Sequence, residues 1–67
     1  MDELNRKKTA ETLIRLRGEK TQSEVAQAVG VTRAAYSLYE KGKRTPRDTV
    51  KVKLAQYYGR SVKHIFF

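Results

Sequence analysis

Cationic side chains are concentrated between residues 41 and 47, in a segment that contains no carboxylate. Its cations and its hydroxyl group belong to Lys41, Lys43, Arg44, Arg47 and Thr45. Ammonium, guanidinium and hydroxyl groups bind phosphate oxygens through charge and hydrogen bonds, although a charge run is often only solvated surface. The segment is therefore a candidate anion-binding site.

Residue patterns typical of disulfide frameworks, metal sites and catalytic sites are missing from the sequence. It has no cysteine, and its one histidine, His64, has neither a second histidine nor a cluster of carboxylates beside it. A disulfide framework and the usual zinc spacing are therefore ruled out. Because no pairing of nucleophile with base and no glycine-rich phosphate loop is present, we expect no enzyme activity, no metal and no cofactor.

The net charge indicates a polyanionic partner. The 67 residues have a formal charge of +8 and 39% hydrophobic residues, which suits one small domain over residues 1–67. A nucleic acid and an anionic membrane both fit this charge, but a membrane-bound helix needs a broad apolar face that segment 21–41 lacks. The sequence shows no secretory signal and no apolar run near ~18 residues. We therefore expect a cytoplasmic protein that binds neither a membrane nor a small molecule.

Cap residues and helical spacing predict a first helix after a short lead-in at residues 1–4. Asn5 or Thr9 begins this helix, and Gly18 ends it. Its apolar positions are Ala10, Leu13, Ile14 and Leu16.

Two short helices separated by a glycine are predicted next. Thr21 caps the second helix, Glu24 completes a capping box, and Gly30 ends the helix. Thr32 caps a third helix that runs to about residue 41. The apolar face of the third helix contains Ala35, Tyr36 and Tyr39. This arrangement over residues 21–41 is typical of a helix-turn-helix.

Two further helices complete the chain. Pro46 and Asp48 mark the start of the fourth, which ends at Gly59, and Ser61 caps a last short turn. Their apolar residues are Val50, Leu54, Tyr57, Tyr58, Val62, Ile65 and Phe66. With no clear strand segment, the predicted fold class is all-α, five helices around one core.

Two strings of residues match a known pattern at matching separations. They are TQSEVAQAVGVTR at residues 21–33 and YEKGKRTP at residues 39–46. The Thr-Gln pair that opens the first string is weak evidence by itself. Together with the glycine turn, the basic loop and the proline, it forms a specific pattern. The chain resembles the lambda-repressor-like, Xre-type regulators of bacteria and phages over nearly its whole length. The resemblance implies a compact five-helix domain that binds double-stranded DNA.

In that family the third helix lies in the major groove, so the resemblance implies that its outward residues face the bases. These residues are Arg33, Ala34, Ser37 and Leu38. Arg33 can donate two hydrogen bonds to guanine, worth ~1–3 kcal/mol of discrimination, or can contact a phosphate instead. Ala34 and Leu38 can contact only thymine methyl groups, and Leu38 is otherwise a surface leucine or a protein contact.

The resemblance also implies contacts with the DNA backbone. Gln22 lies in the first turn of the second helix, where free N–H groups and the helix dipole favour a phosphate, with a local capping contact as the alternative. The other phosphate-binding candidates are Thr32, Lys41, Lys43, Arg44, Thr45 and Arg47. Relatives pair a glutamate at the position of Glu40 with an arginine of the first helix, which implies a structural pair of Arg15 with Glu40.

Relatives usually act as homodimers on inverted repeats with half-sites about 34–36 Å apart, which implies a repressor that occludes a promoter. Ile65, Phe66 and Phe67 offer more apolar area than a small core needs, so they are the candidate dimer surface. The alternative is an antitoxin or antirepressor-type module that binds a regulatory protein through an exposed Leu38.

Overall fold

Five α-helices account for most of the chain. The computed structural model describes residues 2–67 and contains α1 (Asp2–Arg17), α2 (Gln22–Val29), α3 (Arg33–Glu40), α4 (Asp48–Tyr58) and α5 (Val62–Phe66). No strand occurs within this range, and the all-α prediction is confirmed. None of these helices is both long enough and apolar enough to cross a bilayer.

The short helices begin at the predicted cap residues. Thr21 Oγ1 accepts the Glu24 N–H at 3.0 Å, and the Glu24 carboxylate accepts the Thr21 N–H at 3.4 Å. Thr32 and Ser61 cap α3 and α5 in the same way, each accepting a backbone N–H at 3.0 Å. These bonds satisfy amide groups that the first turn of a helix leaves unpaired.

The first helix begins earlier than expected. It already includes residues 2–4, which were predicted to be a lead-in, while Met1 lies outside the described residues. Glu3 lies in the first turn, where negative charge favours the helix dipole. Asn5 is not a cap, because it lies inside α1 and its Nδ2 donates to the Phe66 carbonyl at 3.2 Å. This bond attaches α1 to the end of α5.

The core lies where all five helices meet. Its buried side chains are Leu13, Val25, Ala26, Val29, Tyr36, Tyr39, Leu54, Ala55, Ile65 and Phe66. α1 packs against α3 and α5, while α2 packs against α3 and α4. Ile14, predicted to lie on the apolar face of α1, is 49% exposed, because one residue of helix rotates it about 100° away from buried Leu13.

Candidate nucleic-acid interface

The turn between α2 and α3 depends on Gly30. Its φ of 75° is left-handed, a conformation that glycine adopts at little cost, and the following Val31 N–H donates to the Ala26 carbonyl at 3.0 Å. Val31 packs against the edge of the core, and Ala26 is buried. A small buried residue and an apolar turn residue both suit a tight crossing of two helices. The turn therefore fixes the direction in which α3 leaves α2.

α3 has a buried face and an outward face. Tyr36 and Tyr39 are buried, which confirms that they are core residues. Arg33 and Ala34 are exposed at the start of the helix, whereas Ser37 and Leu38 are half-buried. Arg33 and Ala34 are therefore the most accessible of the predicted base-contacting residues.

The loop after α3 is attached to α1 through Gly42. Arg6 Nε donates to the Gly42 carbonyl at 3.2 Å. The φ of Gly42 is 69°, and a Cβ at this position would lie only 3.4 Å from the Arg6 carbonyl oxygen. Pro46 is buried, while the five predicted phosphate-binding residues of the loop are exposed, namely Lys41, Lys43, Arg44, Thr45 and Arg47. The loop thus has a fixed base and a cationic outer surface.

The cations of this loop divide into two groups. Lys41 and Lys43 line a groove beside α1, together with Arg6 and Glu40. The rest of the loop borders a cleft of about 440 Å³ between the turn at Gly30 and α4. The polar side chains of this cleft are Thr32, Arg44, Thr45, Arg47, Thr49 and Lys53, and no carboxylate lines it.

Lys53 also lines the cleft, although its position in the sequence did not predict this. A Cβ at Gly30 would lie 3.8 Å from Lys53 Nζ, so the ammonium group lies beside the turn that precedes α3. Lys53 follows Thr49 by four residues, a spacing that places both on one face of α4. No local signal in the sequence links Lys53 to the basic loop, because the packing of α4 beside the turn at Gly30 brings them together.

The predicted ion pair of Arg15 with Glu40 is wrong, and Arg17 takes the place of Arg15. Arg17 Nε lies 2.6 Å from Glu40 Oε2, and Arg17 Nη2 lies 3.1 Å from Oε1. Arg17 follows buried Leu13 by four residues and so shares its face of α1. Arg15 is rotated by about 200° from Arg17 and is exposed.

Gln22 contacts Glu40 in the same cluster. Gln22 Nε2 donates to Glu40 Oε1 at 3.0 Å, and the backbone of Gln22 begins α2. Burial by itself would raise the pKa of Glu40, but hydrogen bonds from Arg17 and Gln22 and the charge of Arg17 outweigh it, so the pKa is lowered. The glutamate is therefore a buried, ionised acceptor.

A pair of tyrosines links α3 to α4 beside this cluster. The hydroxyl groups of Tyr36 and Tyr58 lie 2.7 Å apart. Burial and this hydrogen bond raise the pKa of Tyr36 far above its ordinary value. The pair therefore remains neutral and acts as a structural contact.

The predicted dimer surface is only partly available. Ile65 and Phe66 are 3% and 2% exposed and belong to the core of the single chain, so their assignment as surplus apolar area is wrong. A domain this small needs both side chains, because they are the buried core residues of α5. Phe67 is 75% exposed.

His64 is exposed, and within residues 2–67 no group of three or more His, Cys, Asp or Glu side chains could hold a metal ion.

Comparisons with known proteins agree with this geometry. The helix-turn-helix family model matches residues 12–65. The cryptic phage CTXphi transcriptional repressor RstR of Vibrio cholerae is 39% identical over 46 residues, which cover 69% of this chain and 41% of the repressor. The chain thus matches about two fifths of the length of this curated relative, and no solved structure matches it. The range matched by the family model includes the turn at Gly30, the basic loop and α4. The chain belongs to the lambda-repressor-like, Xre-type helix-turn-helix family.

Proposed function

We propose that this chain binds an inverted-repeat operator in double-stranded DNA as a homodimer and represses transcription by occluding a promoter. The observation that supports this function most strongly is the exposed start of α3, which has cationic groups beside it. Arg33 and Ala34 are accessible there, and the carboxylate-free cleft borders the same end of the helix at Thr32. A surface of this kind suits a helix in the major groove with phosphates at its flanks.

Each exposed group has a distinct role in this proposal. Arg33 contacts a guanine edge, and Ala34 contacts a thymine methyl group, with Ser37 and Leu38 at the margin of the groove. The cleft contacts one stretch of backbone, and its phosphate-binding residues are Thr32, Arg44, Thr45, Arg47 and Lys53. Gln22 contacts a phosphate at the start of α2, and Lys41 and Lys43 add charge beside α1.

Contact between two copies is assigned to Phe67. Among Ile65, Phe66 and Phe67, it is the exposed residue. Leu4 is also exposed and precedes Asn5, whose side chain donates to the Phe66 carbonyl. Leu4, near the start of α1, and Phe67, after the end of α5, are therefore two exposed apolar side chains that a second copy can cover. An antitoxin or antirepressor-type module loses its main support, because Leu38 is half-buried.

Selection from a random duplex pool at fixed salt tests the proposal. We expect wild-type protein to enrich an inverted repeat, Arg33→Ala to relax one base position in each half-site, and Gln22→Ala to weaken all sequences about equally. The affinity for the selected duplex should fall with salt, with a logarithmic slope of about −0.9 per phosphate neutralised. Absence of duplex binding, or binding insensitive to salt, would contradict the proposal.

A further inference from the structure

The carboxylate of Glu40 lies against the first residue of α2, although Glu40 itself ends α3. Glu40 is 6% exposed. Its Oε1 accepts a hydrogen bond from Gln22 Nε2 at 3.0 Å, and Arg17 donates to both carboxylate oxygens at 2.6 and 3.1 Å. A side chain of α3 is thus bonded directly to Gln22, a residue proposed to contact phosphate.

This bond fixes the orientation of the glutamine amide. An ionised carboxylate only accepts hydrogen bonds, so the Gln22 nitrogen must face Glu40, and its second N–H stays free for another acceptor. The capping box already uses the N–H groups of Thr21 and Glu24, whereas the Gln22 and Ser23 N–H groups have no acceptor within the helix. A Gln22 side chain held in this way loses less conformational entropy when a phosphate binds at this helix end than a freely rotating one.

The charge of Glu40 by itself would oppose an incoming phosphate. Arg17 offsets that charge through its two-point contact. The carboxylate can therefore hold Gln22 close to a polyanion without adding a net negative charge at the surface.

We propose that Glu40 is a positioning residue for DNA binding, which orients the Gln22 amide so that its free N–H and the first N–H groups of α2 share one backbone phosphate. This role rests on the proposed function. In this role Glu40, which is buried and does not contact DNA, contributes through Gln22 to the affinity for the DNA backbone.

A double-mutant cycle on duplex affinity tests this role. We expect Gln22→Ala to weaken wild-type binding about tenfold, as for a lost hydrogen bond to a charged group, but less than about threefold in a Glu40→Ala background. Arg44→Ala is the matched control, because Arg44 lies in the separate cleft. Its effect should be the same in both backgrounds, whereas general damage to the fold would change the effects of both substitutions.

A second measurement uses unmodified protein and needs no variant to fold. Solvent exchange of the glutamine side-chain amide protons is followed by NMR in the free protein. We expect a Gln22 Nε2 proton to exchange several-fold more slowly than those of Gln27 and Gln56, which are exposed. Equal exchange at the three glutamines, or additive losses in the cycle, would overturn the positioning role while leaving duplex binding intact. If the wild type binds no duplex, the proposed function falls together with this role.

Discussion

Arg17 and Glu40 join the end of α1 to the end of α3 through two short contacts, Nε to Oε2 at 2.6 Å and Nη2 to Oε1 at 3.1 Å. The same guanidinium donates from Nη1 to the Lys20 carbonyl at 2.6 Å, which closes the turn between α1 and α2. Because Glu40 also accepts from Gln22, the end of α1 and both helices of the helix-turn-helix meet at one carboxylate. This carboxylate, which a side chain of α1 contacts, thus joins the start of α2 to the end of α3, the two helix ends away from the turn at Gly30.

The loss of Arg17 should therefore destabilise the protein, whereas the loss of Arg15 should not. We expect Arg17→Gln to lower the free energy of unfolding by about 1–3 kcal/mol, because Glu40 is left buried without its guanidinium. Arg15→Gln removes the same charge from an exposed position and should change stability by about 0.5 kcal/mol or less. Urea denaturation followed by circular dichroism compares the two. Equal losses would show that the pair with Arg17 is not a stabilising contact.

The stability of the protein should decrease in acid in a way that depends on Glu40. Its pKa in the folded chain lies below the ordinary value of 4.5, so its contribution is present above that value and is lost as the pH falls through the lower, folded pKa. We expect the free energy of unfolding to fall below about pH 4.5 in the wild type. The decrease should be shallower in Glu40→Gln, which does not titrate. Parallel pH profiles of the two proteins would exclude this source of acid sensitivity.

The two C-terminal aromatic residues should respond differently to truncation. Phe66→Ala opens a cavity in the core, and we expect it to cost about 3–5 kcal/mol, a large share of the stability of so small a domain. Phe67→Ala should leave thermal unfolding at low protein concentration nearly unchanged, because its side chain is mostly exposed. Sedimentation equilibrium should instead show weaker self-association of the Phe67→Ala variant. If the variant dimerises as tightly as the wild type, the contact between copies lies elsewhere.

Lys53 should contribute to DNA affinity without affecting base preference. Lys53→Gln removes a cation from the cleft, so the salt slope of duplex binding should become shallower by about 1, with similar losses for all sequences. Lys63→Gln is the control, since it makes the same charge change at an exposed position of α5. A filter-binding series over several salt concentrations measures both slopes. Identical slopes for the two variants would remove Lys53 from the backbone contacts.

Local rules predict the helices of this chain well where polar caps and glycines limit them. Thr21, Thr32 and Ser61 begin helices, and Gly30 and Gly59 end them, because each acts on backbone groups within a few residues. The start of α1 differs from the prediction, because residues 2–4, predicted to be a lead-in, are already helical. The helix begins in a charged segment whose end is held by a bond from Asn5 to distant Phe66.

In the candidate site too, some features follow from local sequence and others from the packing of the helices. The sequence by itself determined the helix-turn-helix, the basic loop and the burial of Tyr36 and Tyr39, since helical period, capping and net charge are local or additive properties. Only the tertiary structure decided that Arg17 pairs with Glu40, that Lys53 joins the loop cations and that Phe66 belongs to the core. Each of these depends on which faces of helices distant in sequence meet, and helix packing around the core sets those faces.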